Sequence, residues 1–201
     1  MNETLKRALS GAVYVAIMWF GTFCSELSFH ILFAVILLVC LYEMYKLRKG
    51  KTKTLTFLYV LSPLLLIHFI KTELVLLMFI LTWTFDTFAY LVGVKFGKHK
   101  IMPSVSPKKS WEGFVGGFVF TVIAAYISHK FFNHIALRDI FFVSIFLPFT
   151  ATLGDFIESH YKREAGVKDS GNFIPGHGGM LDRIDAFMIT IPALYIYLNI
   201  L

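Results

Sequence analysis

"ELVLLMFILTWTFDTFAYLVG", residues 73–93, is an apolar run of membrane-spanning length that contains one internal carboxylate, Asp86. The hydrocarbon core of a bilayer needs about 20 apolar residues in a helix. An ionised side chain within such a helix is costly and usually faces a cavity or a partner. The run therefore predicts a transmembrane helix that carries an acid into the bilayer.

Similar apolar runs make up most of the chain. Its 201 residues are 57% hydrophobic and only 16% charged, whereas about a quarter of a soluble domain is charged. We predict an all-α fold, a polytopic membrane helical bundle of about seven transmembrane helices that forms a single domain over residues 1–201. The predicted spans are residues 8–24, 28–45, 54–70, 73–93, 113–132, 139–157 and 186–201.

The basic residues predict an orientation. If the N-terminus faces the cytoplasm, all but three of the 19 Lys and Arg residues lie on the cytoplasmic side, as the positive-inside rule requires. The three exceptions are Lys71, Lys130 and Arg138. Because topology accounts for the net charge of +6, we expect no nucleic-acid partner. The run Lys46–Lys53 is typical of an anchor against anionic lipid, and the first apolar stretch is expected to be a retained span.

A second acid, Asp155, lies in the span that contains "FTATLGDFIES". With this orientation, both acid-bearing spans run from outside to inside. Asp86 precedes Gly93 by seven residues, which places it roughly 10 Å from the cytoplasmic end of its helix. We therefore expect a polar cavity that faces the cytoplasm, with structural ion pairs near the interface as the alternative.

The longest polar segment is "SHYKREAGVKDSGNFIPGHGGMLDRID", residues 159–185. It mixes basic side chains, which contact phosphate oxygens, with carboxylates, which hold Mg²⁺. The glycines of "PGHGG", residues 175–179, let the backbone approach a ligand closely. This composition favours a site for a metal-bound polyphosphate, and a solvated juxtamembrane loop is the alternative.

Other polar motifs are less specific. Lys108 and Lys109 precede Trp111 in a second cytoplasmic segment, where positive-inside charge and an interfacial tryptophan are the alternative interpretation. "GFVGG", residues 113–117, predicts a close helix-packing face. His30 and His68 lie in different spans without metal-ligand spacing and are expected to be structural.

Taken together, the motifs resemble those of phosphatidate cytidylyltransferases, the CDP-diacylglycerol synthases. "TWTFDTFAY", "GKHK", "SPKKSWEG" and "GDFIES" resemble segments of that family in the same order, and the resemblance extends from Trp83 to Asp185. The signature positions within the polar segment are Ser159, Lys162, Arg163, Lys168, Asp169, Pro175–Gly179, Asp182, Arg183 and Asp185.

The resemblance implies that phosphatidic acid and CTP are converted to CDP-diacylglycerol and pyrophosphate, with residues 71–201 as the catalytic part and residues 1–70 as N-terminal spans. It implies Mg²⁺ bound by Asp155 and Asp182, with K⁺ as a candidate second cation and Asp86 and Asp185 as candidate further ligands. It also implies a location in the plasma (inner) membrane, with the active site and the N-terminus cytoplasmic, and leaves a homodimer open.

The remaining roles follow from the same resemblance. The catalytic residues would be Asp155, Asp182, Lys168 and Arg183. The substrate-binding residues would be Lys108, Lys109, Ser159, Lys162, Arg163, Asp169, His177, Gly178 and Gly179.

Two other functions stay open at this point. A CTP-dependent enzyme that acts on another lipid phosphate would need the same site. A cation transporter would use Asp86 and Asp155 to line a permeation path, although the sequence shows no paired inverted halves.

Overall fold

The protein is described by a computed structural model over residues 3–49, 51 and 54–200. Lys53, one of the basic residues used to predict orientation, lies outside these ranges. Within them the chain forms eight α-helices and one β-hairpin. The helices are α1 (Glu3–Phe23), α2 (Glu26–Leu47), α3 (Thr54–Leu66), α4 (Thr72–Phe96), α5 (Trp111–Ser128), α6 (Leu137–Glu164), α7 (Leu181–Ile184) and α8 (Phe187–Ile200).

The predicted spans coincide with α1 to α6 and α8, and the helical membrane character is confirmed. In the part of the chain that the structure describes, four helices are long and apolar enough to cross a membrane: α2, α4, α5 and α6. The apolar helices α3, which continues into a 3₁₀ turn at Ile67–Phe69, and α8 are shorter. The count of seven membrane-spanning helices stays a prediction.

Many large apolar side chains lie on the surface of the bundle. Leu77, Met78 and Leu81 of α4 are fully buried, whereas Val94 of the same helix is 71% exposed. Large exposed apolar side chains also occur along α1, α2 and α5. A water-soluble monomer rarely exposes so much contiguous apolar surface, whereas lipid tails cover such a surface without cost.

A short β-hairpin is the main departure from an all-α fold. Strand β1 (Lys100–Met102) pairs with β2 (Ser106–Ser110) in antiparallel register between α4 and α5. Its second strand ends at the start of α5, where the Ser110 hydroxyl accepts a hydrogen bond from the backbone N–H of Gly113 at 3.2 Å. The hairpin therefore fixes Lys108 and Lys109 relative to the helices.

Glycines bring α4 and α5 together. A Cβ atom at Gly113 would lie 2.6 Å from the backbone oxygen of Ala89, and one at Gly117 would lie 2.8 Å from the backbone oxygen of Phe85. Neither distance is tolerable for a side chain, so the backbones meet only because these positions are glycine. The predicted packing role of residues 113–117 is confirmed.

Candidate active site

Three carboxylates converge at one point of the bundle. Asp155 and Glu158 are one turn apart on α6, and Asp185 lies between α7 and α8; one carboxylate oxygen from each falls within 4.8 Å of the others. Glu158 is completely buried. We call these three residues the carboxylate cluster.

The cluster depends on a close backbone approach at Gly154. A Cβ atom at this position would lie 2.3 Å from the backbone oxygen of Asp185, and the Tyr59 hydroxyl donates a hydrogen bond to the Gly154 carbonyl at 3.0 Å. Gly154 thus sets the distance between α6 and the segment that carries Asp185.

Gly154→Ala should therefore separate Asp155 from Asp185. Because the clash is with backbone rather than with a flexible side chain, we expect a loss of about 1–3 kcal/mol in the free energy of unfolding and a lower affinity for divalent cations. Thermal unfolding with and without Mg²⁺ measures both effects. Gly166→Ala is the control. No atom lies within 4 Å of the Cβ atom that this variant adds, but its φ of +71° strains an alanine. It therefore shows the effect of backbone strain without a clash near the cluster. An unchanged response of Gly154→Ala to Mg²⁺ would contradict this role.

Two lysines face the cluster. The Lys109 Nζ atom lies 2.6 Å from Asp155 Oδ2. Lys162, which is almost fully buried, forms ion pairs with both Glu158 and Asp182, the latter at 2.7 Å. The lysines thus offset part of the negative charge of the cluster.

Apart from these two lysines, the cluster has few donors. Asp155 Oδ2 and both carboxylate oxygens of Glu158 are buried and accept no hydrogen bond beyond the ion pairs with Lys109 and Lys162, although buried polar atoms are nearly always paired. Burial, followed by the repulsion of the Asp155 carboxylate, raises the pKa of Asp185 well above its usual range. Crowded carboxylate oxygens with few donors match the preference of Mg²⁺ for oxygen ligands, so the residues present fit a divalent cation.

Asp182 has different surroundings. Its Oδ2 atom accepts hydrogen bonds from the backbone N–H groups of Ser170 at 2.8 Å and Gly179 at 2.7 Å, and from the Ser170 hydroxyl at 2.9 Å. Burial alone would raise the pKa of Asp182, but hydrogen bonds and the Lys162 charge outweigh it and lower that pKa below its usual value. Asp182 is therefore an ionised anchor for the glycine-rich loop, and its predicted role as a metal ligand beside Asp155 stays a prediction.

The loop of residues 165–180 is held from the opposite side by Glu43 of α2. This buried carboxylate accepts hydrogen bonds from the backbone N–H groups of Met180 at 3.0 Å and Leu181 at 2.9 Å. It also lies 3.0 Å from the Ser170 hydroxyl, whose single proton it shares with Asp182. It therefore joins the N-terminal half of the chain to the signature segment.

Glu43→Gln should loosen this loop. The substitution keeps the size of the side chain but turns one acceptor oxygen into an amide donor that faces N–H groups, so we expect a loss of about 1–3 kcal/mol in the free energy of unfolding. Faster hydrogen–deuterium exchange at residues 170–181 measures the local effect. Glu26→Gln, at an exposed position on the same helix, is the control, and equal exchange in both variants would refute the anchor.

Tight turns shape the loop itself. Gly176 and Gly178 have φ angles of +79° and +84°, which favour glycine. The Arg183 guanidinium donates to the His177 carbonyl at 2.7 Å. His177 Nδ1 lies 3.1 Å from the Ser10 hydroxyl, which donates to the Pro175 carbonyl at 2.7 Å. His177 and Arg183 thus both stabilise the turn.

Two cavities meet at Asp86. The first, of about 340 Å³, lies between α1, α4 and the loop and is lined by Asp86, His177, Asp182, Arg183 and Asp185. The second, of about 230 Å³, is lined by Asp86 and by Lys108 and Lys109 of the hairpin. Asp86 thus has access to both spaces, each large enough for part of a substrate.

The structure brings together most of the predicted site residues. The shared neighbourhood of the cluster and the cavities contains Asp86, Lys108, Lys109, Asp155, Lys162, His177, Asp182, Arg183 and Asp185. Gly178 and Gly179 border Asp182. Lys168 and Asp169 are exposed on the loop, Ser159 is buried, and exposed Arg163 donates to the Val167 carbonyl at 3.0 Å. The substrate-binding roles of these residues stay predictions.

Sequence reasoning missed Glu43, Gly154 and the place of Glu158 in the cluster. Glu43 lies within an apolar run, so an intramembrane acid was a readable signal. For Gly154, the only signal was its position beside Asp155.

An apolar helical bundle that holds clustered carboxylates, facing lysines and a glycine-rich loop defines an integral membrane protein with an acidic cluster that could hold a metal ion. The model of the cytidylyltransferase family matches residues 54–201, and the chain belongs to that family.

Individual relatives agree with this membership. The chain is 47% identical over 126 residues to a phosphatidate cytidylyltransferase of Thermotoga maritima. The matched region covers 60% of this chain and 47% of the relative. It is 46% identical over 125 residues to one of Staphylococcus saprophyticus (62% and 48%), and 45% identical over 124 residues to one of Haemophilus influenzae (59% and 43%). The chain thus spans about half the length of the curated relatives it matches.

Proposed function

We propose that the protein is a phosphatidate cytidylyltransferase, which transfers CMP from CTP to phosphatidic acid. The observation that carries this proposal is the carboxylate cluster, whose buried oxygens in Asp155 and Glu158 have no donors beyond Lys109 and Lys162, beside two cavities. The names of the relatives supply the substrate class, and the site chemistry agrees with it.

The reaction needs little covalent help from the protein. An oxygen of the lipid phosphate attacks the α-phosphorus of CTP, the bond from that phosphorus to the bridging oxygen of the β-phosphate breaks, and pyrophosphate leaves with the electron pair. The obstacle is the approach of two anions, so charge neutralisation and positioning are the main contributions. Lys108, Lys109 and Arg183 would contact phosphate oxygens, because they line the two cavities that meet at Asp86.

Asp155, Glu158 and Asp185 would hold a divalent cation, for which we propose Mg²⁺. Bound Mg²⁺ would neutralise phosphate charge and stabilise the leaving pyrophosphate. Asp182 and Asp86 would complete the set of acids near the phosphates, and K⁺ is proposed as a second cation. Lys162 would offset the negative charge of the buried acids Glu158 and Asp182 while the substrates exchange.

The same proposal covers the topology. We infer one membrane domain of about seven helices in the plasma (inner) membrane, with the N-terminus and the cavities on the cytoplasmic side and residues 71–201 as the catalytic part. Arg48 and Lys51 both pair with Glu164, which clusters the ends of α2 and α6 on the side where the basic residues accumulate.

Purified protein in mixed micelles tests the proposal. With CTP, phosphatidic acid and Mg²⁺, we expect stoichiometric release of pyrophosphate and formation of CDP-diacylglycerol. A panel of other lipid phosphates at fixed CTP tests the acceptor. Absence of pyrophosphate with all acceptors, while a relative is active in parallel, would refute the proposal; release only with another acceptor would reassign the substrate.

A further inference from the structure

Two histidines that are far apart in sequence meet at the end of the bundle opposite the carboxylate cluster. His30 lies in the second turn of α2 and His68 in the 3₁₀ turn after α3, 38 residues later. Their Nδ1 atoms are 2.7 Å apart and their ring centroids 4.9 Å apart. We call these two residues the histidine pair. The expectation that both are merely structural did not anticipate this contact.

Buried packing orients both rings. Phe29, which is 1% exposed, lies edge-on to His30 with centroids 5.5 Å apart and to His68 with centroids 6.1 Å apart. One aromatic ring thus supports both imidazoles, while His30 is exposed and His68 is half-buried. The pair is rigid on its inner side and accessible on its outer side.

The distance between the two nitrogens suits a shared metal ion. An imidazole nitrogen binds Zn²⁺ at about 2.0–2.1 Å, so two such ligands lie about 2.9 Å apart at a right angle and about 3.4 Å apart at the tetrahedral angle. The observed separation of 2.7 Å lies about 0.2 Å below the first value and about 0.7 Å below the second. Small side-chain rotations would therefore convert the hydrogen-bonded pair into a chelate.

The surroundings supply charge and room. The pair opens into a cavity of about 340 Å³ that is also lined by Glu26, Lys71 and Glu73. The two carboxylates outnumber the single lysine, so the cavity carries a net negative charge that favours a cation. Water would take the remaining coordination positions.

We propose that His30 and His68 form a second metal site, selective for imidazole-preferring divalent ions such as Cu²⁺, Zn²⁺ and Ni²⁺, at the end of the bundle away from the carboxylate cluster. The two sites differ in chemistry, because imidazole suits these transition metals while carboxylate oxygens suit Mg²⁺. A bound ion would clamp the start of α2 to the connection between α3 and α4. The proposal does not depend on the enzymatic activity.

Copper titration of the full chain, purified in detergent without a histidine tag and freed of metal with a chelator, tests the site. Electron paramagnetic resonance of bound Cu²⁺ reports nitrogen ligands directly through their hyperfine coupling, and a carboxylate site shows none. We expect one equivalent of Cu²⁺ with coupling to two nitrogens. Loss of a residue that only hydrogen-bonds to a metal ligand lowers metal affinity by about 10–100-fold. His30→Asn and His68→Asn each remove a ligand itself and should therefore lower the affinity at least tenfold.

His134→Asn, at an exposed histidine near the start of α6, is the matched control and should retain both the affinity and the spectrum. Circular dichroism establishes that each variant is folded, and replacement by glutamine instead of asparagine serves if one is not. Absence of two-nitrogen coupling in the unaltered protein would overturn the proposal. So would its persistence in folded His30 and His68 variants.

Discussion

Asp155→Asn should lower the turnover of CTP and phosphatidic acid by about 1,000-fold or more, because it removes a charged oxygen ligand of the proposed cation site, and the bound cation would neutralise phosphate charge. The fold should survive. Asp155 lies against two other acids, so removal of one negative charge relieves repulsion at the same time as it weakens the pairing with Lys109.

Asp182→Asn makes a sharp comparison. It should also abolish turnover, but with a loss of stability, because Asp182 accepts hydrogen bonds from Ser170 and Gly179 and pairs with Lys162. Pyrophosphate release over a range of Mg²⁺ concentrations and thermal unfolding of the same samples separate the two effects. Asp139→Asn is the control, since Asp139 accepts a hydrogen bond from Tyr197 near the start of α6, far along the helix from Asp155. Normal turnover in Asp155→Asn would remove this residue from the proposed cation site.

Much of the architecture could be predicted because the bilayer imposes a simple rule. Apolar runs of membrane length give α2, α4, α5 and α6 directly, and the glycines of residues 113–117 gave the close packing of α4 and α5. The β-hairpin was missed because its strands are short and polar, and β2 contains a proline, Pro107. No periodic pattern of apolar residues marks them as strands.

Composition predicts which residues belong to the candidate site, but it does not predict which of them contact one another. The family resemblance implied Asp155 and Asp182 as metal ligands, with Asp86 and Asp185 as further candidates. Spacing along the chain does not reveal that Glu158 joins Asp155 and Asp185 or that Asp182 turns toward the loop. These pairings depend on the close backbone approach at Gly154 and on Glu43. The Glu43 carboxylate accepts a hydrogen bond from the backbone N–H of Met180, which is 137 residues away in sequence. Contacts between distant segments are set by tertiary packing, which a single sequence does not display.

Lys162 is the residue whose removal should destabilise the protein most. Its ammonium group lies between Glu158, which is fully buried, and Asp182, and is itself nearly inaccessible. Removing one partner of a buried ion pair costs about 3–5 kcal/mol because the other charge is left uncompensated. In a domain of this size each kcal/mol shifts the melting temperature by about 2–4 °C, so Lys162→Met should lower it by roughly 6–20 °C.

The neighbouring Arg163→Met is the matched control for stability. Arg163 is exposed and donates to the backbone of its own loop at Val167, so its replacement should change the melting temperature far less. A double variant, Lys162→Met with Glu158→Gln, tests the cause. If an uncompensated carboxylate is responsible, neutralising Glu158 should restore a large part of the lost stability, because the two substitutions act on one interaction. Additive losses in the double variant would show instead that the uncompensated Glu158 carboxylate is not the cause.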